Sequence, residues 1–250
     1  MNHIMLDSIV NCARCAGQML AFSSDTIVLQ KGENDFVTSC DTSVQDYLIK
    51  SLGEKFNNFF FVAEEKENIV IPDTEGFIID PIDGTLNYIN GIPYSAICIA
   101  YINKKTVQCA VVYNPFLDET FTAVKGEGAY LNGNRIHCKT DNLKRSVLLI
   151  DDFWRGDTRV ISDFVAGYRC IGSAEIAICY VACGRAAGYI SQNIHIWDFA
   201  AGKLILEEAG ACLLDRSNRM VDILLKTNRV LACPPLFRDT LFELCKKAES

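Results

Sequence analysis

The segment "GFIIDPIDGT", residues 76–85, constrains the fold of this chain more than any other part of the sequence. Its apolar start predicts a short buried strand, and the strand stops at Asp80, with Asp83 three residues later beyond Pro81. Gly84 permits a close backbone approach, and Thr85 predicts the start of a short helix. The fold must therefore bring a core strand to an edge where two acids can be accommodated.

Two carboxylates held this close repel each other unless a positive group lies between them. Mg²⁺ is a hard cation that prefers carboxylate and carbonyl oxygens, and it would resolve the repulsion. The backbone N–H groups of Gly84 and Thr85, at the start of a helix, would face an anion. A metal ion and free backbone amides at the same place together indicate a phosphate-binding site. The alternative is an acidic surface turn in which an Asp caps the helix, and the spacing alone does not separate the two.

Further acids support the metal interpretation. Glu64 and its neighbour Glu65 end another apolar strand, "FFFVA". Asp198, in "IHIWDFAAGKLIL", precedes an apolar helix, where an ordinary N-cap is the alternative role. The segment Gly172-Ser173-Ala174 opens one more helix and offers further free amides. The sequence thus places acids at several element ends.

Composition restricts the class of protein. The chain has 250 residues, of which 50% are hydrophobic and 22% charged, so it predicts one large or two smaller globular domains. The formal net charge of −7 and the lack of clustered Lys and Arg disfavour a nucleic-acid partner. The N-terminal segment has no signal-peptide core, and no segment approaches the ~20 apolar residues of a membrane span. We expect a cytoplasmic protein without a membrane partner.

The chain contains 12 cysteines. Cys12 and Cys15 form "CARC", but no second pair follows at zinc-ribbon spacing. Most of the others lie in aliphatic runs, where a free thiol behaves as a small hydrophobic group. The pattern favours reduced core thiols over a disulfide or metal framework.

The order of elements predicts two halves. Helices are expected over residues 1–20 and 43–56, the second capped by Asp41, Thr42 or Ser43, and strands over 59–63 and 76–80. An antiparallel meander then follows, and from Ser146 short strands alternate with helices. We therefore expect an α+β half over 1–140 and an α/β half over 141–250, packed as one body, with the site at the seam between them.

These motifs resemble the inositol monophosphatase family of Mg²⁺-dependent, lithium-sensitive phosphatases. The family's paired signatures are D-P-I/L-D-G-T-x-N-F/Y and W-D-x-A-A/G-A/G, and the chain has "DPIDGTLNY" at 80–88 and "WDFAAG" at 197–202. Supporting matches occur in the expected order over roughly residues 5 to 215: "FVTSCD" at 36–41, "AEE" at 63–65, "GAYLNGNRI" at 128–136, "GSA" at 172–174 and "EEAG" at 207–210.

The resemblance implies a fold and a set of site residues. The fold is a layered α-β-α-β-α sandwich of the sugar phosphatase type, usually a homodimer. The implied metal ligands are Glu64, Asp80, Asp83, Asp198 and the carbonyl of Ile82, for two or three Mg²⁺ per site. The implied catalytic residues are Asp41, Glu64 and Thr85, of which Asp41 and Thr85 position and deprotonate the attacking water. The implied substrate-binding residues are Asp83, Gly84, Thr85, Gly172, Ser173, Ala174, Ser191 and Asp198. Lys31 is the candidate for a loop lysine common in the family.

Two positions depart from the family pattern. Ala63 replaces a Gly before the Glu pair. Ser191 stands seven residues before Asp198, where inositol-specific members carry a Glu that binds substrate hydroxyls. Because serine is shorter and neutral, we expect a weaker preference for inositol monophosphate, unless a neighbour such as Gln192 or Glu175 supplies the contact.

The expected activity is hydrolysis of a small phosphorylated polyol or sugar, such as inositol monophosphate, by a metal-activated water. The alternatives within the enzyme class are fructose-1,6-bisphosphatase, NADP phosphatase, nucleotide 3′-phosphatase and histidinol-phosphatase. From other classes, a non-catalytic regulatory member of the family and a metal-buffering protein stay open. A lost metal ligand would favour the regulatory role, and every implied ligand position is filled.

Overall fold

The computed structural model describes residues 2–22, 27–32, 35–65, 70–139, 141–151, 157–192, 194–223 and 229–249. The helices are α1 (Asn2–Phe22), α2 (Ser39–Lys55), α3 (Thr85–Ile89), α4 (Thr158–Ile161), α5 (Ala174–Ala182), α6 (Ala200–Glu208) and α7 (Arg238–Glu249), with 3₁₀ turns at Leu143–Arg145 and Pro235–Phe237. The strands are β1 (Val28–Gly32), β2 (Asp35–Thr38), β3 (Phe60–Ala63), β4 (Glu75–Asp83), β5 (Ala96–Asn103), β6 (Thr106–Asn114), β7 (Glu119–Val124), β8 (Gly128–Leu131), β9 (Asn134–Ile136), β10 (Val147–Ile150), β11 (Gly167–Cys170), β12 (Gly188–Ser191), β13 (Cys212–Asp215) and β14 (Val230–Cys233).

A seven-stranded sheet in the order β3-β4-β5-β6-β7-β8-β9 organises the N-terminal part of the chain. All neighbouring strands are antiparallel except β3 and β4, which are parallel. Helices α1 and α2 cover one face, where Ile9, Leu48 and Leu52 pack against Ile79 and Ile99. This packing follows from the alternation of side chains along each strand, since successive residues point to opposite faces.

Helices α5 and α6 form the middle layer. They pack on the other face of the seven-stranded sheet and also on β12, β13 and β14. Ile178 of α5 and Ile205 of α6 are fully buried in this shared core. An α-helix that is apolar on most sides requires cover on both faces, and the two sheets provide it.

The second sheet has five strands in the order β11-β10-β12-β14-β13. Strands β10, β11 and β12 are parallel, whereas β14 runs antiparallel to both of its neighbours. Helices α4 and α7 close its outer face, where Leu241 and Leu244 are fully buried. The layers follow the order helix, sheet, helix, sheet, helix, so the predicted α-β-α-β-α sandwich is confirmed.

The structure corrects two local predictions. Helix α2 begins at Ser39 with Thr38 as its N-cap, rather than near residue 43 with a cap at 41–43. Thr38 ends β2. Because its neighbours in the sequence favour a strand, the sequence does not identify Thr38 as the helix cap. Strand β4 does not end at Asp80 but runs to Asp83, because an irregularity in its pairing with β5 accommodates the extra residues around Pro81.

All 12 cysteines lie in the described part of the chain, and none forms a disulfide. Eight of them are buried, including Cys98 and Cys179 in the shared core. The burial of these eight cysteines agrees with the prediction of core thiols, whereas Cys15 and Cys170 are exposed. Among the described residues, no helix is long and apolar enough to cross a membrane.

Candidate metal and phosphate site

Three of the predicted acids reach the same edge of the seven-stranded sheet. Strands β3 and β4 are parallel with Ala63 opposite Ile79, so the residues that follow, Glu64 and Asp80, leave the sheet at one end. Asp83 ends β4 three residues further on. Gln45 of α2 accepts a hydrogen bond from the Glu65 N–H through Oε1 at 3.0 Å, which ties the acidic turn after β3 to the first helical layer.

The segment between Asp80 and Asp83 is fixed locally. The Ile82 N–H donates to Asp80 Oδ1 at 3.0 Å, and Pro81 has no N–H to satisfy. Gly84 has a φ of 84°, and a Cβ there would lie 2.7 Å from the Tyr94 carbonyl oxygen. Only glycine fits this left-handed, crowded position. Among the hydrogen bonds of the described residues, none has the Gly84 or Thr85 N–H as its donor, so both groups stay candidates for the predicted anion cradle.

Asp41 and Thr85 form a connected pair. Asp41 is fully buried, and its Oδ2 accepts hydrogen bonds from the Thr38 N–H and hydroxyl in a capping box at the start of α2. Thr85 Oγ1 lies 3.1 Å from Asp41 Oδ1 and 3.0 Å from the Ile82 carbonyl oxygen. The capping box holds Asp41 still, so Oδ1 faces the hydroxyl of Thr85.

Asp83 joins β4 to the N-terminus of α5. The Ser173 hydroxyl and the Glu175 N–H donate to its Oδ2, and the Ala174 N–H donates to Oδ1 at 3.1 Å. The sequence predicts free donors for a ligand in the Gly172-Ser173-Ala174 segment, among them Ser173 and Ala174. The structure instead directs them to Asp83, because a buried carboxylate needs hydrogen-bond donors. Gly172 lies beside them with a φ of 67°, where a Cβ would approach the Asn87 amide at 3.0 Å.

Asp198 lies two residues before the start of α6 but does not cap it. Its Oδ2 accepts from the His195 N–H at 2.6 Å, and the N-cap position is Phe199. Glu175 of α5 takes the helix amides instead, with the Ala201 N–H at 3.1 Å from Oε1 and the Gly202 N–H at 2.5 Å from Oε2. Asp198 therefore does not have the ordinary N-cap role that the sequence left open as an alternative.

Burial raises the pKa of Asp80, Asp83 and Asp198. The pKa of Asp80 lies well above its usual range because of burial, with the charges of Glu64, Asp83 and Asp198 adding to the effect. Burial raises the pKa of Asp198 to about 8, against the His195 hydrogen bond that lowers it. Burial raises the pKa of Asp83 to about 6, against its donors on α5. The site holds more negative charge than the protein by itself compensates.

The donor set fits Mg²⁺. All candidate ligands are oxygens, and in the described part of the chain Asp80, Asp83 and Asp198 form no ion pair with a basic side chain. Within the same residue ranges, no group of three or more His, Cys, Asp or Glu side chains is already arranged to hold a metal ion. The contacts of Asp83 with α5 would therefore have to adjust on binding. Lys31 lies on β1, and its side chain is outside the described residues.

A cavity of about 180 Å³ opens beside these acids. Asp83, Gly172, Ser173, Ser191 and Asp198 line it, so the seven-stranded sheet and the middle helices contribute one side and β12 the other. Asp151, directly after β10, also lines the cavity. Asp151 is not among the site residues predicted from the sequence, although "SVLLIDD" shows the same pattern of a strand that ends in acids as "GFIID".

The acidic site should make stability depend on pH when no divalent metal is present. The raised pKa values of Asp83 and Asp198 keep protons on the folded protein that the unfolded chain releases. Their stabilising effect is complete below about pH 4, the usual Asp pKa, and is lost as pH rises through about 6 and about 8. In chelator, Tm measured by scanning fluorimetry should therefore fall over this range, and excess Mg²⁺ should reduce the fall. A Tm in chelator that is constant with pH and insensitive to Mg²⁺ would contradict this.

The layered sandwich with an acid-lined cavity beside its sheet ends defines a class of site suited to a divalent metal and an anion. Comparison with known proteins gives the family. The sequence profile of the inositol monophosphatase family matches residues 7–249. The chain belongs to the inositol monophosphatase family.

Individual relatives agree. The chain is similar to an inositol monophosphatase of Mesembryanthemum crystallinum, with 32% identity over 98% of this chain and 96% of the relative. It is also similar to the Nus factor SuhB of Escherichia coli, with 34% identity over 85% of each chain. Among solved structures, the Thermotoga maritima IMPase superposes with a TM-score of 0.91 at 28% identity, covering 98% of both chains.

Proposed function

We propose that the chain is a Mg²⁺-dependent phosphomonoesterase that acts on a small phosphorylated polyol or sugar such as inositol monophosphate. The observation that carries the proposal is the Asp41–Thr85 pair beside four acids and two backbone N–H groups. A fixed proton acceptor, an anion cradle and a set of oxygen ligands are the parts that metal-assisted hydrolysis requires. Membership in the inositol monophosphatase family supports the same reaction.

Each residue has a proposed task in this reaction. The Gly84 and Thr85 N–H groups bind phosphate oxygens. The Thr85 hydroxyl has one hydrogen, and when it donates this to Asp41 Oδ1, its lone pairs can orient a water and take up its proton. Asp41 is the acceptor behind Thr85, and burial raises its pKa despite the Thr38 hydrogen bonds. A raised pKa brings a carboxylate closer to the range of an effective general base.

Glu64, Asp80, Asp83, Asp198 and the Ile82 carbonyl are the residues that would hold two or three Mg²⁺. When bound, Mg²⁺ supplies positive charge that neutralises the phosphate and makes a water more acidic. The Ile82 carbonyl oxygen lies 3.0 Å from Thr85 Oγ1. This short segment therefore carries both a proposed metal ligand and the hydroxyl that would orient the water.

A phosphate-release screen tests the proposal. Inositol-1-phosphate, fructose-1,6-bisphosphate, NADP, adenosine 3′,5′-bisphosphate and histidinol phosphate cover the alternatives that the sequence left open. We expect release in Mg²⁺, none in chelator, and inhibition by lithium at limiting Mg²⁺. Absence of release from every compound in the presence of Mg²⁺ would refute a phosphatase role.

A surface patch supports a homodimer. Leu86, Ile92, Phe116 and Leu117 are each between 40 and 47% exposed. The Asn114 side chain donates to the Pro93 carbonyl at 2.9 Å, and the rings of Tyr88 and Phe116 lie 6.5 Å apart. The segment between α3 and β5 and the turn between β6 and β7 therefore form one surface. Contiguous exposed apolar side chains of this kind mark interaction sites more often than isolated ones. A second copy of the chain is the occupant we propose.

The double substitution Ile92→Glu with Phe116→Glu should convert the dimer to a monomer, because it would bury charges at the interface. Sedimentation velocity at micromolar concentration measures this. Leu236→Glu is the matched control, since Leu236 is 64% exposed on the 3₁₀ turn before α7, and it should leave the dimer intact. A monomeric wild type at the same concentration would contradict the proposal.

A regulatory role is the second candidate, because similar curated relatives include the Nus factor SuhB. The formal charge of −7 disfavours direct nucleic-acid contact, so such a role would act through proteins. The screen above separates the two roles, since a regulator without activity would release no phosphate.

A further inference from the structure

Two cysteines of the second sheet, Cys212 and Cys233, face each other across neighbouring strands. Strands β13 and β14 are antiparallel, and Cys212 lies opposite Cys233 in their register. Directly opposite residues in such a pair have Cα atoms about 4.5 to 5.5 Å apart and side chains on the same face. Disulfide-linked cysteines have Cα atoms about 4.4 to 6.8 Å apart. The backbone therefore already has the spacing that a bond between the two sulfurs requires.

The two side chains are also in contact. Cys212 Sγ donates to the Cys233 carbonyl oxygen at 3.2 Å, and the two thiol groups lie within hydrogen-bonding reach of each other. Both thiols belong to the core that α7 covers on the outer face of the second sheet. Because the strands already hold the two residues side by side, joining the sulfurs needs rotation of side chains and no displacement of a strand.

The two thiols differ in acidity. A side-chain hydrogen bond with Cys233 lowers the pKa of Cys212, burial acts against it, and the charge of Arg238 adds to the lowering. The same hydrogen bond, together with burial, raises the pKa of Cys233. In the first sheet, by contrast, burial raises the pKa of Cys109 to about 12. The thiolate is the reactive form of cysteine, so Cys212 is set apart from core thiols such as Cys109.

Position in the sheet also favours Cys212 as the first thiol to react. Strand β13 is an edge strand, and Cys212 is 7% exposed, whereas Cys233 is fully buried. Two further thiols are near, since Cys138 interacts electrostatically with Cys212 and Cys245 with Cys233. Cys138 follows β9 and Cys245 lies on α7, so neither is a strand partner of this pair. The strand pairing singles out Cys212 and Cys233.

We propose that Cys212 and Cys233 are a modification site at which hydrogen peroxide forms a reversible disulfide. The Cys212 thiolate attacks one peroxide oxygen and becomes a sulfenic acid, the O–O bond breaks, and the released hydroxide takes up the proton that Cys212 lost. The Cys233 sulfur then attacks the Cys212 sulfur, the S–O bond breaks, and the Cys233 proton leaves with the hydroxide as a second water. Two thiols thus lose two electrons, and one peroxide is reduced to two waters.

This inference goes beyond the proposed phosphatase function and does not depend on it. The disulfide would join the edge strand β13 to β14, and β14 also pairs with β12, whose Ser191 lines the acid-lined cavity. The modification would therefore cross-link the sheet that contributes one wall of the candidate site.

Peptide mapping of the full-length protein tests the proposal. Reduced wild type is treated with hydrogen peroxide and alkylated under denaturing conditions, so that every remaining thiol is labelled, and is then digested for mass spectrometry. We expect a linked peptide pair that contains Cys212 and Cys233, and its loss on treatment with dithiothreitol. The unlabelled fraction of Cys212 should exceed that of Cys109 by at least about 10-fold. Cys212 and Cys233 that are both labelled as fully as before peroxide, or linkage of either to Cys138 or Cys245 instead, would overturn the inference.

Two variants test the order of the steps, with Tm as a check on folding. Cys233→Ser keeps a hydrogen-bond donor but cannot close the disulfide, so peroxide should leave Cys212 as a sulfenic acid that dimedone traps. Cys15→Ser is the control, because Cys15 is an exposed thiol on α1, and it should form the same disulfide as wild type. A folded Cys233→Ser variant without a dimedone adduct on Cys212, or a Cys15→Ser variant without the disulfide, would contradict the proposal. If Cys233→Ser does not fold, the wild-type peptide map decides alone.

Discussion

Replacing Asp198 by Asn should lower kcat/KM for phosphate release by at least about 10³-fold, which corresponds to a loss of about 4 kcal/mol in the transition state. Asp198 is one of the four acids that we propose as metal ligands, and it is the one supplied by the segment before α6. Its amide analogue can still accept the His195 N–H, so the local structure should persist. The loss is expected because a neutral ligand leaves the cation and the phosphate less well held.

Stability separates this loss from misfolding. Asp198→Asn removes one buried charge from a group of acids that raise one another's pKa, so in chelator near pH 8 its Tm should equal or exceed that of wild type. The Tm gain on adding Mg²⁺ should shrink. Asp73 is exposed and lies before β4, so the control variant Asp73→Asn should match wild type in both activity and Tm. Near-normal turnover of Asp198→Asn in Mg²⁺ would refute the proposed ligand set.

Replacing Thr85 by Ala should reduce kcat by about 10² to 10⁴-fold, the range typical of lost general acid–base assistance. The hydroxyl of Thr85 is the proposed link between Asp41 and the attacking water, and its oxygen lies 3.1 Å from Asp41 Oδ1. The backbone N–H of residue 85 is unchanged by the substitution, so KM should change much less than kcat. Steady-state kinetics in saturating Mg²⁺ measure the two separately.

Thr85→Ser keeps the hydroxyl and should recover most of the rate. Thr106→Ala is the matched control, because Thr106 begins β6 at the hairpin that lies away from the Asp80–Thr85 segment. A Thr85→Ala variant that keeps kcat within a few-fold of wild type, or one whose defect lies in KM, would show that the hydroxyl does not orient the water.

Much of the fold could be predicted from the sequence. The apolar face of residues 1–20 indicated α1, and the short apolar runs at 59–63 and 76–80 indicated β3 and most of β4. The two signature motifs indicated the family, which the profile match over residues 7–249 confirms. These features are local, or depend on residues close in the chain, and local pattern is what sequence reasoning interprets best.

The features that escaped prediction depend on contacts between distant residues. The amides of α6 are bound by Glu175, so the helix needs no cap from Asp198 next to it. Ser173 and Ala174 contact Asp83, which lies about 90 positions earlier in the chain. Asp151 reaches Ser191 only because β10 and β12 are adjacent and parallel in the sheet. Strand register and strand order determine these contacts, and neither can be inferred from a single sequence.

In the proposed reaction, water attacks the phosphorus of a phosphate ester, and Mg²⁺ is required. Hydrolysis of inositol-1-phosphate in ¹⁸O-labelled water, with mass spectrometry of both products, tests it most directly. We expect one labelled oxygen in the phosphate, none in the inositol, and no product in chelator. Label in the inositol, or equal release without divalent metal, would contradict it.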